Sequence, residues 1–398
     1  MTRVHDEQFD GPATHALIIG VGHYEYLSGG SRGAPIEGFD DLGQLGSPPR
    51  SAVHLATWLI ENAASLAAPL GTVDLLLSPG GETEIAGVGH EIETATYQNI
   101  SQAIARWFRA CDTDRGNVAV LYFAGHGIGR ETAAALAQDF GSSRPPLDPF
   151  AQALDIGKLQ QAMAACRAST QCFFIDTCRQ FRRALEGWLA LEASCPLPVE
   201  IRAMQRDIDA PIVYATAPGR LAYGDPEGLT LFVQALVATL EGLGAKLYDI
   251  DEPWKVSTSR LVDGINAWLR YAHLCQQAPE QRCHIDGGSS ESTLRHIDGD
   301  PHVLLTLKVR PEARAPDSVL SLRRSGREAG PVAGQAAGKT AGQAACYRGT
   351  CGDDGWREYI LGGDYELDVE SREGAFDTRT RPLRALPPPE IIEKVEVS

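Results

Sequence analysis

No run of 18 apolar residues occurs anywhere in the 398-residue chain, so the sequence offers no membrane-spanning helix. No basic region leads into an apolar stretch at the start. Met1 to Gly11 is polar and acidic, which argues against a secretory leader, and the expectation is a soluble, cytoplasmic protein. Paired C-x-x-C knuckles are missing. The nine cysteines stand at 111, 166, 172, 178, 195, 275, 283, 346 and 351, an odd number at irregular spacing, which excludes a disulfide framework. Cys275, Cys283 and His284 lie close in sequence, as do Cys346 and Cys351, but without knuckles buried thiols are a better reading than zinc. No metal or other cofactor is therefore expected. Positive charge is also short, with 36 Lys and Arg against 52 Asp and Glu and a net charge of −16. From Pro301 onward 14 basic residues face 15 acidic ones, so −15 belongs to the first 300 residues. Such a surface repels a phosphate backbone, which excludes nucleic acid as partner, and attracts a basic peptide. No internal repeat of solenoid length is present.

What is present is a set of short apolar runs bounded by Gly, Pro, Asp or polar turns. They are Ala16 to Val21, Val73 to Leu77, Val118 to Phe123, Cys172 to Ile175 and Ile212 to Ala215. Runs of this kind predict strands covered on both faces. Between them Ile100, Ile104, Trp107 and Phe108 share a helical face, as do Ile156, Leu159, Met163 and Cys166. Two later helices carry Phe232, Ala235, Leu236 and Leu240, then Leu261, Ile265, Trp268 and Leu269. Strand and helix alternate through the first 270 residues, which predicts an α/β fold with a mainly parallel sheet between helices. The expected division is a domain over 1–275, a polar linker over 276–300 and a small β-sandwich domain over 301–398. Ala333 to Ala345, a Gly/Ala/Gln stretch, reads as a loop.

Two strand ends hold the chemistry. Val118 to Phe123 runs into Ala124-Gly125-His126-Gly127, and Cys172 to Ile175 runs into Asp176-Thr177-Cys178-Arg179. In a parallel sheet the site lies at the carboxyl ends of the strands, so an imidazole and a thiol leave the sheet at one rim. A thiol attacks as thiolate, and an imidazole within reach takes its proton and later delivers it to a leaving amine. Gly125 and Gly127 let backbone approach a substrate closely. The N–H groups of Gly127 and Cys178 are the candidate oxyanion donors. Singly, a His after a strand is most often a satisfied polar residue and a Cys most often core. The pair at matching strand ends is what points to catalysis. Cys178 follows His126 by 52 residues, against roughly 50 in caspases.

With these segments in view, the chain resembles the caspase-like cysteine peptidases, and the bacterial and metacaspase-like branch more than the animal caspases. The resemblance runs over residues 14 to 272. It includes His15-Ala-Leu-Ile-Ile-Gly-Val-Gly22, Ala95-Thr-Tyr-Gln-Asn-Ile100, Leu121-Tyr-Phe-Ala-Gly-His-Gly127, Phe174-Ile-Asp-Thr-Cys178, Ala215 to Tyr223 and Gly228 to Phe232. It implies a caspase-like α/β/α sandwich, a Cys178–His126 dyad, an acyl-enzyme and cleavage of peptide bonds after a selected side chain. It also implies that Tyr214 to Ala217 pairs with the substrate backbone as an added strand. Asp176, two residues before the nucleophile, matches the position that metacaspase-like enzymes set against Arg or Lys. Asp225 is the candidate second carboxylate, because Gly219 stands where the family has one.

Three departures bear on specificity. Arg179-Gln180-Phe181 replaces the tails that usually follow the nucleophile. Ser51, in Arg50-Ser51-Ala52, stands where the family has an Asp. Arg50 and Arg220 offer a rival scheme in which guanidinium holds an acidic substrate residue. Arg182 or Arg183, in the stretch Gln180 to Ala210, is a candidate self-cleavage site beside the alternative of an uncut surface helix. The leading function is a cysteine endopeptidase cutting after Arg or Lys, with the C-terminal β domain docking a substrate or regulatory protein, in a bacterial defence or cell-death pathway. The rivals are a catalytically silent scaffold and a peptidase cutting after an acidic residue. A Rossmann-type nucleotide enzyme fails, because residue 25 is Glu and the G-x-G-x-x-G run is incomplete.

Overall fold

Strands buried along their whole length need partners on both edges and helices on both faces, and four segments meet that description. A computed structural model describes residues 2–32, 39–129, 133–143, 150–179, 193–199, 207–249, 251–287, 290–325, 346–352, 355–387 and 390–397. Its main sheet is built from β1 (Thr2–Asp6), β2 (Thr14–Val21), β3 (Leu70–Ser78), β4 (Val118–Gly125), β5 (Thr170–Thr177), β6 (Ile212–Tyr214) and β7 (His284–Asp286). The order across the sheet is β1-β3-β2-β4-β5-β6-β7. β2 to β6 run parallel, and β1 and β7 close the two edges antiparallel. The five apolar runs of the sequence are these five parallel strands. All residues of β2, β3, β4 and β5 are buried.

Among the described residues five α-helices cover the sheet: α1 (Ser47–Glu61), α2 (Tyr97–Cys111), α3 (Ile156–Met163), α4 (Leu231–Ala238) and α5 (Leu261–Gln276). On one face Ala52, Leu55, Phe232, Leu236 and Ile265 pack against Ile18, Val120, Tyr122 and Phe174. On the other, Ile100, Ile104, Trp107, Leu159 and Met163 meet Leu17, Leu121, Phe123 and Phe173. Alternate residues of one strand thus feed opposite cores. Trp107 is wholly buried, and its indole N–H donates to the His15 carbonyl at 2.9 Å. Burying one such side chain stabilises by roughly 1.5–3 kcal/mol. α2, α3 and α4 start on the side-chain caps Thr96, Asp155 and Thr230, while α1 carries proline in its first turn instead.

The stretch 276–300, read from the sequence as a linker, supplies two strands. β7 is the last strand of the main sheet, and Thr293–Ile297 pairs with Trp254–Ser257. Beyond it lies an extra β region of β8 (His302–Arg310), β9 (Ser318–Arg324), β10 (Cys346–Thr350), β11 (Trp356–Leu361), β12 (Gly363–Ser371), β13 (Arg379–Ala385) and β14 (Glu390–Glu396). These form two sheets, β11-β8-β14 and β10-β9-β12-β13, antiparallel except for the β8–β14 pair. Val303, Leu305, Leu307, Leu320, Leu322 and Leu367 share their core. Leu304, on the opposite face of β8, joins the core of the first region. The carboxylate of Glu241, just past α4, accepts hydrogen bonds from Trp58 at 3.2 Å and Tyr359 at 3.5 Å, and the Tyr359 ring stacks on His302. Ala333 to Ala345 lies outside the described residues. Among those described, no helix is long and apolar enough to cross a membrane.

Candidate active site

β4 and β5 are parallel neighbours whose register pairs Asp176 with Ala124 and Thr177 with Gly125. The next residues along are Cys178 and His126, so both leave the sheet at one rim from adjacent strands. Gly127 then crosses against Thr177 and Cys178. A Cβ there would meet the Thr177 side chain and come within 2.7 Å of the Cys178 carbonyl oxygen. Glycine is required by that close approach, as it is at Gly125, where a Cβ would fall 2.7 Å from the Tyr24 hydroxyl.

His126 is largely buried. Its Nε2 lies 2.8 Å from the Gly43 carbonyl oxygen, which can only accept, so Nε2 carries the proton and Nδ1 is left as the basic nitrogen. Its main-chain N–H donates to the buried Tyr24 hydroxyl at 2.7 Å, and the two rings lie 4.9 Å apart. Tyr24 in turn donates to Val21 at 3.3 Å. Cys178 is half-buried, and its sulfur accepts the Ala222 N–H at 3.3 Å while its thiol donates to the Ala222 carbonyl at 3.7 Å.

The loop from Ala215 to Thr230 faces this pair. Arg179 donates its N–H to Arg220 at 3.2 Å and accepts that of Gly219 at 2.9 Å. Its side chain is fully buried, with the guanidinium 3.8 Å from the Tyr214 ring centre and 3.4 Å from Asp286. The unusual residue after Cys178 therefore points into the protein. Ala217 accepts the Arg220 N–H at 3.1 Å and closes a turn. Tyr214 is paired with Ile175 and with His284 on either side, and the Ala215 carbonyl accepts the Gln281 amide at 3.1 Å. Of the segment Tyr214 to Ala217, Ala215, Thr216 and Ala217 lie beyond the end of β6, Ala215 still donating its N–H to Ile175 at 2.9 Å.

Asp176 sits beneath this rim, buried. Its Oδ2 accepts the Tyr122 hydroxyl at 2.8 Å and the Thr230 hydroxyl at 2.5 Å, while Oδ1 accepts no hydrogen bond among the described residues. Burial pushes its pKa up to about 6 against the pull of the two hydroxyls. Ser51 extends the cluster, since its hydroxyl accepts the Thr230 N–H at 2.9 Å and lies 3.2 Å from the Thr230 hydroxyl. Asp225 is exposed and its carboxylate accepts the Glu227 N–H of its own turn. Arg50, at the surface, is engaged by the carbonyl and carboxylate of Glu227, and Arg220 is exposed. Arg182 and Arg183 lie outside the described residues. Cys275 is exposed, Cys283 buried, and His284 is bonded to Asp286 at 2.8 Å. Among the described residues no three His, Cys, Asp or Glu side chains converge as metal ligands do.

The caspase domain family matches residues 13–285, from just before β2 into β7. This chain belongs to the caspase domain family. A relative in Sinorhizobium fredii, called uncharacterized protein y4kE, is 27% identical over 254 residues, covering 63% of this chain and 72% of that one. The crystal structure of caspase-1 from Spodoptera frugiperda is similar over 72% of this chain and 94% of its own, at 12% identity and a TM-score of 0.41. Within the caspase domain, sequence reasoning names His126, Cys178, Gly127 and Asp176 but misses Gly43, Tyr24, Thr230 and Gln281. A carbonyl that fixes a tautomer has no side-chain signature at all. Tyr24 and Gln281 carry ordinary residue types in loops. Thr230 alone had a signal, as a Thr directly before an apolar helical run.

Proposed function

We propose that this caspase-domain protein is a cysteine endopeptidase in which Cys178 is the nucleophile and His126 the general base and acid. The observation that carries this reading is the register of β4 and β5, with Thr177 opposite Gly125. His126 Nδ1 takes the thiol proton, and the thiolate attacks the scissile carbonyl carbon. The oxyanion faces the N–H groups of Gly127 and Cys178, where losing one donor costs about 2.7–4 kcal/mol of transition-state stabilisation. As the tetrahedral species collapses, His126 returns the proton to the leaving amine and a thioester remains. Water, deprotonated by the same imidazole, then hydrolyses the thioester and frees Cys178.

Asp176 selects a basic side chain before the cut bond, because its buried carboxylate lies two residues before Cys178 beneath the rim, where a cationic donor would join the two hydroxyls on Oδ2. Asp225 is a weaker candidate for this role, being committed to its own turn. The acidic-residue scheme is disfavoured by the engagement of Arg50 with Glu227. The family membership supports a protein or peptide substrate. A regulatory partner on the C-terminal β region, a cytoplasmic place of action and a defence or cell-death role extend the same reading. A peptide panel with Arg, Lys or Asp before the cut bond, with and without calcium, tests it. Cleavage after Arg and Lys that disappears in Cys178→Ala and persists in Cys111→Ala is the expected result. Wild-type protein that cleaves none of the panel, and whose Cys178 resists a thiol-reactive peptide, would leave the silent scaffold.

A further inference from the structure

The loop that touches the thiol is anchored in the core at Ala215, Ala222 and Leu229. Its tip reads Thr216-Ala-Pro-Gly-Arg-Leu-Ala222, with Arg220 exposed and Leu221 40% exposed. Hydrogen bonds add to that anchorage. Two come from the main chain of Arg179. Two others come from one buried side chain, Gln281. Its Nε2 donates to the Ala215 carbonyl at 3.1 Å, and its Oε1 accepts the Tyr223 N–H at 2.8 Å. One carboxamide thus bridges the outgoing and returning arms of the loop, offering one donor and one acceptor as a peptide unit would. Ala222, the neighbour of Tyr223, is the residue whose N–H lies on Cys178 sulfur.

Gln281 is itself on fixed ground. It lies between α5 and β7, and two residues later Cys283 is held by Asn266 of α5, which accepts the Cys283 N–H at 2.9 Å and donates to its carbonyl at 3.4 Å. A second carboxamide clamp thereby ties the segment carrying Gln281 to a helix.

We infer that Gln281 is a positioning residue for the substrate loop, and through Tyr223 and Ala222 for the amide donor on the Cys178 sulfur. The inference rests on the endopeptidase reading for what the loop does with substrate, while its contact with the thiol is measurable without any cleavage. In Gln281→Leu both hydrogen bonds are lost, the returning arm loosens and the Ala222 N–H no longer stays on sulfur.

The test follows iodoacetamide alkylation of Cys178 against pH, resolved from the other thiols by peptide mass mapping. The full-length wild type is compared with Gln281→Leu and Gln281→Glu. The Glu variant keeps the acceptor for Tyr223 and loses the donor to Ala215. The expected result in Gln281→Leu is an alkylation midpoint shifted by about half a pH unit or more, because Ala222 no longer holds the sulfur through its N–H and carbonyl, and a KM for the best peptide raised about tenfold. Gln281→Glu adds a negative charge beside the loop, which itself disfavours thiolate, so this variant is read through KM alone. A change in global stability alone would not move the midpoint of folded protein. If Gln281→Leu does not fold, Gln281→Glu decides through KM, which should rise as the Ala215 arm loses its donor. Folded variants with wild-type midpoint and KM would overturn the inference. A wild type that is alkylated at Cys178 but cleaves no peptide would overturn the endopeptidase reading, and the midpoint comparison would still judge Gln281.

Discussion

Asp176 brings a stability cost and a functional use to one side chain. Its pKa is pushed to about 6 from the usual 3.8, so between those values the folded chain holds a proton that the unfolded chain has released. Stability therefore falls as pH rises from about 4 to about 6 and stays lower above it. Two pKa units correspond to roughly 3 kcal/mol at most. Asp176→Asn should flatten this fall and raise unfolding stability at neutral pH by about 1–3 kcal/mol. Under the endopeptidase reading the same change removes the counter-charge for a basic substrate residue. It should lower kcat/KM for Arg and Lys peptides by about 100-fold or more while leaving Cys178 alkylation nearly unchanged. Urea denaturation midpoints across pH, set beside peptide kinetics, check both halves. Equal stability and equal kinetics would mean that the carboxylate is neither strained nor used. The pH profile carries a sign as well. A carboxylate must be ionised to hold a cation, so cleavage after Arg should climb as pH passes about 6, on a limb missing from the alkylation profile.

At the level of elements, α4 begins where the site ends. Thr230 caps the helix by accepting the Val233 N–H at 3.2 Å and donates its hydroxyl proton to Asp176. Thr230→Val keeps the shape and removes both. Loss of the cap should cost about 1 kcal/mol of stability, and Asp176 with one donor fewer should titrate higher, moving the acidic limb of cleavage upward. Thr96→Val is the control, because Thr96 caps α2 through Asn99 and makes no side-chain hydrogen bond to the rim among the described residues: it should match the loss in stability with no change in the limb. Parallel shifts in both variants would remove Thr230 from the specificity site. The contrast also marks what could be read from the chain alone. The five parallel strands were legible because a strand covered on both faces must be apolar throughout, and Val118 to Phe123 admits no other use. The His126 and Cys178 strand ends followed from the rule that parallel strands point their carboxyl ends the same way. β7 was not legible, since His284-Ile-Asp286 is three half-buried residues at a sheet edge, too short and too polar to stand out from a linker. The clamps of Gln281 and the Gly43 carbonyl were hidden for another reason: each depends on what folds beside it, across more than 50 residues of chain in each case.

For the molecule as a whole, α1 and α4 each reach from the hydroxyl cluster to the joint with the C-terminal β region. Ser51 and Thr230 lie at one end, Trp58 of α1 and Glu241 just past α4 at the other. The β region thus meets the end of α4 through Glu241, and its near-neutral charge leaves the field to the caspase domain. Of the net −16, −15 falls within the first 300 residues. That field should draw cationic peptides to the rim at a distance, in addition to any pairing with Asp176. Exposed charges are screened beyond about 10 Å at 0.1 M salt, so the two effects separate by where the peptide carries its charge. Two peptides with Arg before the cut bond, one flanked by lysines several residues away and one by neutral residues, should diverge at low salt. The lysine-flanked peptide should lose about tenfold in kcat/KM between roughly 20 mM and 500 mM salt, and the neutral one much less. Identical salt dependence of the two would confine the attraction to the pocket and leave the acidic surface without a part in substrate capture.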